Sequence, residues 1–165
     1  MLTTLLLILG AAVLAFGTLL LLFLLGMRAK SRLVRGVMIR FTRDVMNPMQ
    51  MKSAGTPGAY ADIIRNRGRS SGRTYETPIV AVEVPDESAF IVALPYGTQA
   101  NWVRNVLAAE SAELVHGGRT YAVDRPELVP MSAVETCFSA ADQRAHRITR
   151  VDECIRLRKA EQVAG

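Results

Sequence analysis

Gly68-Arg69-Ser70-Ser71-Gly72-Arg73-Thr74-Tyr75-Glu76-Thr77-Pro78 is the stretch on which the reading of this chain turns. Its two glycines permit a tight turn and a close approach of backbone to ligand. Arg69 and Arg73 flank the turn, and Arg65 and Arg67 precede it. Ser70 and Ser71 add hydroxyls, and the run of N–H groups suits an anion-binding nest. No acidic residue lies between Asp62 and Glu76 to neutralise the four arginines. The turn sits between two strand-like segments, Ala59 to Arg67 and Thr74 to Val84, the second rich in Ile79, Val80, Val82 and Val84. Such a loop is suited to hold a phosphate.

Working outward, Pro85-Asp86-Glu87-Ser88 reads as a turn, and Ala89 to Leu94 as a short buried strand. Pro95 to Asn101 is a loop, followed by a helix over Trp102 to Glu110 with Val103, Val106 and Leu107 on one side. Glu113 to His116 and Arg119 to Val123 form a hairpin about Gly117-Gly118. Leu128 to Met131 completes the sheet, and Ala133 to Phe138 and Ala140 to Arg150 are helical. Cys154 to Lys159, apolar and basic by turns, carries no period that assigns it. The pattern predicts an α+β chain with a mostly antiparallel sheet, such as a small barrel makes.

Upstream, Leu2 through Met27 carries no charge and is dominated by leucine. At ~1.5 Å per residue it exceeds the ~30 Å hydrocarbon core of a bilayer, which predicts one N-terminal transmembrane helix. Arg28, Lys30, Arg32, Arg35, Arg40 and Arg43 all precede the first acid, Asp44. Removing those six from the 20 basic residues leaves 14 against 15 acidic ones, so the rest of the chain is near neutral. The excess lies where a membrane-surface patch would, and a nucleic-acid partner is not expected. By the positive-inside rule the anchor has its N-terminus outside and the domain in the cytoplasm. The chain divides into an anchor over 1–27, a basic juxtamembrane helix and linker over 28–58, and a domain over 59–165. Within the linker, Val34, Val37, Met38, Phe41 and Val45 predict an amphipathic helix over Ser31 to Met46. Asn47-Pro48 breaks it, and a loop through Gly55, Pro57 and Gly58 follows. Met38, Met46, Met49 and Met51 either pack or line the way for a lipophilic substrate.

Cys137 and Cys154 are the only cysteines, without CxxC spacing, and His116 and His146 are isolated. Both cysteines read as small hydrophobes on apolar faces, and no metal site is expected.

The GRSSGR…TP element, followed by Pro95-Tyr96-Gly97 and Asn101-Trp102-Val103-Arg104-Asn105, resembles the deazaflavin-dependent nitroreductase family. The likeness runs from about Arg40 to about Leu157. It implies a split β-barrel of FMN-binding type and a coenzyme site for coenzyme F-420 (8-hydroxy-5-deazaflavin). It assigns the coenzyme to Arg69, Ser70, Ser71, Gly72, Arg73, Thr77, Pro78, Tyr96, Gly97, Trp102 and Asn105. Arginine forks suit phosphate oxygens, and an aromatic wall suits a planar heterocycle. Tyr96 is the candidate catalytic residue, orienting the substrate, with Tyr60 and Tyr75 as weaker candidates. The implied activity is hydride transfer to a lipophilic acceptor, such as a quinone or an unsaturated lipid, at the membrane, in a possible homodimer. Ser70, Tyr75 and the Pro95-Tyr96-Gly97 loop stand where family members often carry cations. That leaves two further readings open: a coenzyme-free barrel holding a lipid or fatty acyl chain, and an FMN-dependent relative.

Overall fold

A computed structural model describes the backbone of residues 2–29 and 32–160, with side chains at 3–4, 9–22, 25–26, 29 and 36–160. The expected helix start at Ser31, and residues 161–165 of the expected domain, lie outside the described residues. The chain runs α1 (Leu2–Arg28), α2 (Arg32–Phe41), a π-helical turn (Thr42–Met46) and α3 (Asn47–Gln50). Seven strands follow, β1 (Asp62–Arg67), β2 (Thr74–Ile79), β3 (Ala81–Val84), β4 (Ala89–Ala93), β5 (Ser111–His116), β6 (Arg119–Pro130) and β7 (Glu153–Lys159). Helix α4 (Asn101–Ala109) lies between β4 and β5, and α5 (Met131–Val134) and α6 (Ala140–Thr149) between β6 and β7.

The uncharged N-terminal run does form the 27-residue helix α1. It exposes Leu9, Val13, Leu14, Phe16 and Leu19 and comes against α6. Among the described residues no helix is long and apolar enough to cross a membrane, so the structure does not supply the expected span. Asn47-Pro48 was expected to end the next helix, yet the chain stays helical to Gln50. Proline lacks an N–H and its ring clashes with the carbonyl four residues back. The wider π-helical turn immediately before Pro48 relieves both.

The strand order is β2-β1-β5-β6-β7-β4-β3, with antiparallel pairing throughout. The two outermost strands, β2 and β3, are consecutive in the chain and separated by Val80 alone. Laid flat, seven strands would hold those edges about 29 Å apart, whereas Ile79 and Ala81 span at most ~7 Å. The sheet therefore rolls into an antiparallel half-barrel. The single strand expected from Thr74 to Val84 is instead broken at Val80. A straight strand cannot pair with β1 at one edge and with β4 at the other. Asp62 secures the bend: its Oδ2 accepts from Ala81 N at 3.1 Å, and its Oδ1 bonds His116 Nδ1 at 2.9 Å.

Alternation sorts the side chains into two faces. Ile64, Ile79, Ala81, Phe90, Val92, Leu114, Val123, Ile155 and Leu157 form the interior, and α4 packs Val103 and Val106 onto it. A second layer of Ile91, Val129 and Cys154 lies on the outer face beneath Met131, Val134 and Phe138. Strand β6 serves both layers because a register shift between Asp124 and Glu127, with Arg125 at φ +46°, switches which parity points inward. A third patch packs Met51, Ala54 and Ala61 on Ile63 and Val115, and Gly118 N donates to Gly55 O. The expected helix over Ala133 to Phe138 is one turn of α5 and one 3₁₀ turn.

Candidate functional site

The loop 68–73 joins β1 to β2, whose residues pair from Asp62↔Ile79 to Arg67↔Thr74. It closes on itself: Gly68 N donates to Arg73 O at 2.8 Å and Gly72 N to Gly68 O at 2.8 Å. Arg73 N donates to Ser71 Oγ at 3.3 Å, and the Tyr75 hydroxyl meets the same Oγ at 3.1 Å. A Cβ at Gly68 would stand 2.5 Å from Ser71 Oγ and 2.6 Å from Tyr75 Cε2, so any larger residue there must push both side chains aside. Gly72 meets a conformational requirement, at φ +65°. These bonds occupy N–H groups expected to form an anion nest. In the loop, those of Ser70 and Ser71 are left, and charge must come from side chains.

The two sequence elements meet at Asn105. Its Oδ1 accepts from Arg69 N at 3.2 Å and from Arg69 Nη1 at 3.0 Å. Its Nδ2 donates to Asn66 Oδ1 at 2.8 Å. Asn105 is 5 % exposed and Asn66 3 %, so the chain Arg69–Asn105–Asn66 runs from the loop rim into the barrel end that α4 covers. Asn66 was absent from the sequence expectations, although its alternation with Ile64 places a polar side chain on the interior face.

Of the four arginines, Arg65 is taken by Glu76 at 2.7 Å and Glu113 at 3.7 Å, on the outer face. Hydrogen bonding to Glu76 holds its guanidinium above the ordinary value. Among the described residues Arg67, Arg69 and Arg73 are in no ion pair. All three are exposed, as is Ser70. Together they give the rim a positive charge without a counter-ion.

Thr77 and Pro78 point to opposite faces of β2, for Thr77 pairs with Ile64 of the interior and Pro78 with Ile63 of the outer layer. Trp102 is half-buried and packs on the interior from α4. The Tyr96 hydroxyl bonds Thr42 Oγ1 at 3.0 Å, tying its loop to the π-helical turn. Gly97 adopts φ +67°. Among the described residues no hydrogen bond joins Tyr96 or Gly97 to the loop 68–73. Tyr60 is exposed, and Tyr121 stacks edge-on against Phe90 at 5.1 Å.

The opposite end of the interior carries a second polar group. Burial pushes the Asp62 carboxyl up, while a hydrogen bond from Lys159 holds Glu83 below its usual range. His116 Nε2 lies 3.9 Å from Glu83 Oε2, and Lys159 Nζ stands 5.1 Å from the Phe90 ring and 5.0 Å from that of Tyr121. This network joins β1, β3, β5 and β7 where the half-barrel closes. An open groove of about 390 Å³ between Leu107, Glu110, Asp124, Arg125 and Pro126 includes none of the expected site residues.

No family model matches the sequence, and no curated protein matches it. Among solved structures the chain is similar to an F420-H2 dependent reductase (FDR-A), at 13% identity and TM-score 0.46, covering 59% of this chain and 93% of that one. It is similar at the same identity and TM-score to a structure described as a domain-swapped dimer, over 59% of this chain and 79% of the other. A third likeness is to a Clostridium acetobutylicum protein related to general stress protein 26 of B. subtilis (pyridoxinephosphate oxidase family). Its identity is 10% and its TM-score 0.45, covering 73% of this chain and 84% of that one.

Proposed function

We propose that this chain is a deazaflavin-dependent oxidoreductase that transfers hydride to a lipophilic acceptor such as a quinone or an unsaturated lipid. The observation that carries the reading is the pair of bonds from Arg69 to Asn105, because it joins the two sequence elements on which the family resemblance rests. The residues present fit coenzyme F-420. Arg69, Arg73 and Ser70 would meet its phosphate, and the buried amides of Asn66 and Asn105 lie behind them. When bound, the coenzyme supplies the hydride. The protein's share is orientation and exclusion of water. Tyr96 stays the proposed substrate-orienting residue, and Thr42 holds its hydroxyl ready.

An FMN-dependent enzyme is the second reading, since the rim charge serves either phosphate. A barrel holding an acyl chain is disfavoured, because Ile64, Phe90, Leu114 and Leu157 fill the interior at 0 % exposure. The membrane part of the proposal rests on the sequence: the charge-free run Leu2 to Met27 with the basic cluster behind it. It comprises a single-pass anchor over 1–27, a linker over 28–58 and a cytoplasmic domain over 59–165, associated as a homodimer. Fluorescence titration of the full chain in detergent with coenzyme F-420, with FMN as control, tests the coenzyme. Saturation lost on R69A/R73A is expected, and no binding at millimolar coenzyme refutes it. Protease accessibility in sealed vesicles tests the anchor and its orientation.

A further inference from the structure

We propose that Asn66 is a ligand contact, its free amide hydrogens receiving a ring carbonyl oxygen of a planar heterocycle, and that Tyr75 is the gate over it. The proposal rests on the coenzyme reading above and adds a residue and a motion to it. Arg69 fixes how the two amides are turned. An arginine has donors only, so its two bonds require the oxygen of Asn105 at that position. Asn105 therefore presents its nitrogen to Asn66, which must answer with its own oxygen. The orientation of both amides is set without any choice, and Asn66 Nδ2 is left buried with no partner among the described residues. Buried donors are rarely left so, because each costs the desolvation of a polar group.

The chemistry of the missing acceptor follows from burial. A phosphate drawn in to Nδ2 would carry its charge away from water at heavy cost, and three arginines already offer it an exposed rim. A neutral carbonyl carries no such cost. Access is through Tyr75. It is the direct cross-strand partner of Asn66, so both side chains share the inner face. Tyr75 is nevertheless 46 % exposed. Its ring lies in the space above Gly68, and its hydroxyl meets Ser71 Oγ at the surface. Breaking that contact lets the ring swing out and uncovers the amide.

The test uses the full chain in detergent, labelled with ¹⁵N-asparagine, and four probes: coenzyme F-420, FMN, riboflavin, which lacks phosphate, and inorganic phosphate. Saturating F-420 or FMN is expected to shift one side-chain NH₂ pair, identified by its loss in N66D. Phosphate alone is expected to leave it unmoved. N66D keeps the oxygen that Asn105 needs, and should weaken riboflavin at least tenfold. Y75F keeps the ring but loses the Ser71 contact. It should associate about fivefold faster, the worth of one ordinary hydrogen bond. Saturation with the NH₂ pair unmoved and riboflavin affinity unchanged in N66D overturns the proposal and leaves a buried water as the partner. A shift produced by phosphate overturns the carbonyl assignment. Should N66D fail to fold, N66S identifies the pair by its loss, and the NH₂ shift and Y75F decide. If F-420 and FMN both fail to saturate the wild type, the coenzyme reading falls and this proposal with it.

Discussion

Replacing Asn105 by alanine tests the joint that holds the site together. Its side chain makes three hydrogen bonds, two from Arg69 and one to Asn66. Losing the bond at 2.8 Å strands Asn66 Oδ1 beside an Nδ2 that already lacks a partner, in a region closed to water. An unpaired buried group costs about 1–3 kcal/mol. Hydrogen bonds to a charged donor contribute ~1.5–3 kcal/mol when buried. Arg69 is exposed and turns partly to water, so roughly half of that applies. N105A should therefore destabilise the chain by about 2–4 kcal/mol. The assay is urea unfolding of the full chain in detergent micelles, followed by fluorescence of Trp102, the single tryptophan, three residues away on α4. A double-mutant cycle with N66A should give a coupling of about 1 kcal/mol, because the two residues share one bond. A loss below ~0.5 kcal/mol, or strict additivity in the cycle, would refute the chain of amides as a structural joint.

Gly68→Ala places a Cβ against Ser71 Oγ and Tyr75 Cε2. It should displace the Tyr75 ring, seen as quenched or shifted tyrosine signals, at a cost of ~1–2 kcal/mol; an unchanged Tyr75 environment would contradict the packing account. His146 is held below its ordinary 6.5 by burial, edge-on to Phe138 at 4.8 Å, with Asp142 and Glu135 opposing in part. Below pH 6.5 the unfolded chain takes up that proton before the native one does, so stability falls as pH drops from 6.5 toward the lowered native value. H146F should flatten that stretch of the curve of unfolding free energy against pH, and an unaltered slope counts against it. Burial pushes the Cys154 thiol up to about 11, with Cys137 adding to it. A maleimide at pH 8 should label the folded chain once, at half-buried Cys137, and twice after unfolding. Labelling of Cys154 at the rate of Cys137 would show that the outer layer is open.

Much of this chain is legible from local pattern. The apolar run of α1, the buried strand after Ser88, the hairpin about Gly117-Gly118 and the helix bearing Trp102 are each set by residues close together in sequence. Periodicity and turn chemistry report directly on such elements. Strand β7 escaped that reading although it lies at the heart of the sheet. Its Cys154 and Leu157 face two different cores, and its Arg156 is paired with Glu87 at 3.0 Å and Glu127 at 3.1 Å. No single-face alternation survives when both faces are covered. The break at Val80 was equally hidden, since nothing in a run of β-branched residues says that its halves belong to opposite edges. Among the site residues, local pattern reveals a glycine-arginine loop without acids and a second element that begins at Pro95. The tertiary structure decided that Asn105 would join them, that Asn66 would lie beneath with a spare donor, and that the backbone of the loop would be consumed by its own turn. Hydrogen bonds between residues 36 and 39 positions apart depend on how the sheet rolls and where α4 lands, and no local pattern encodes that.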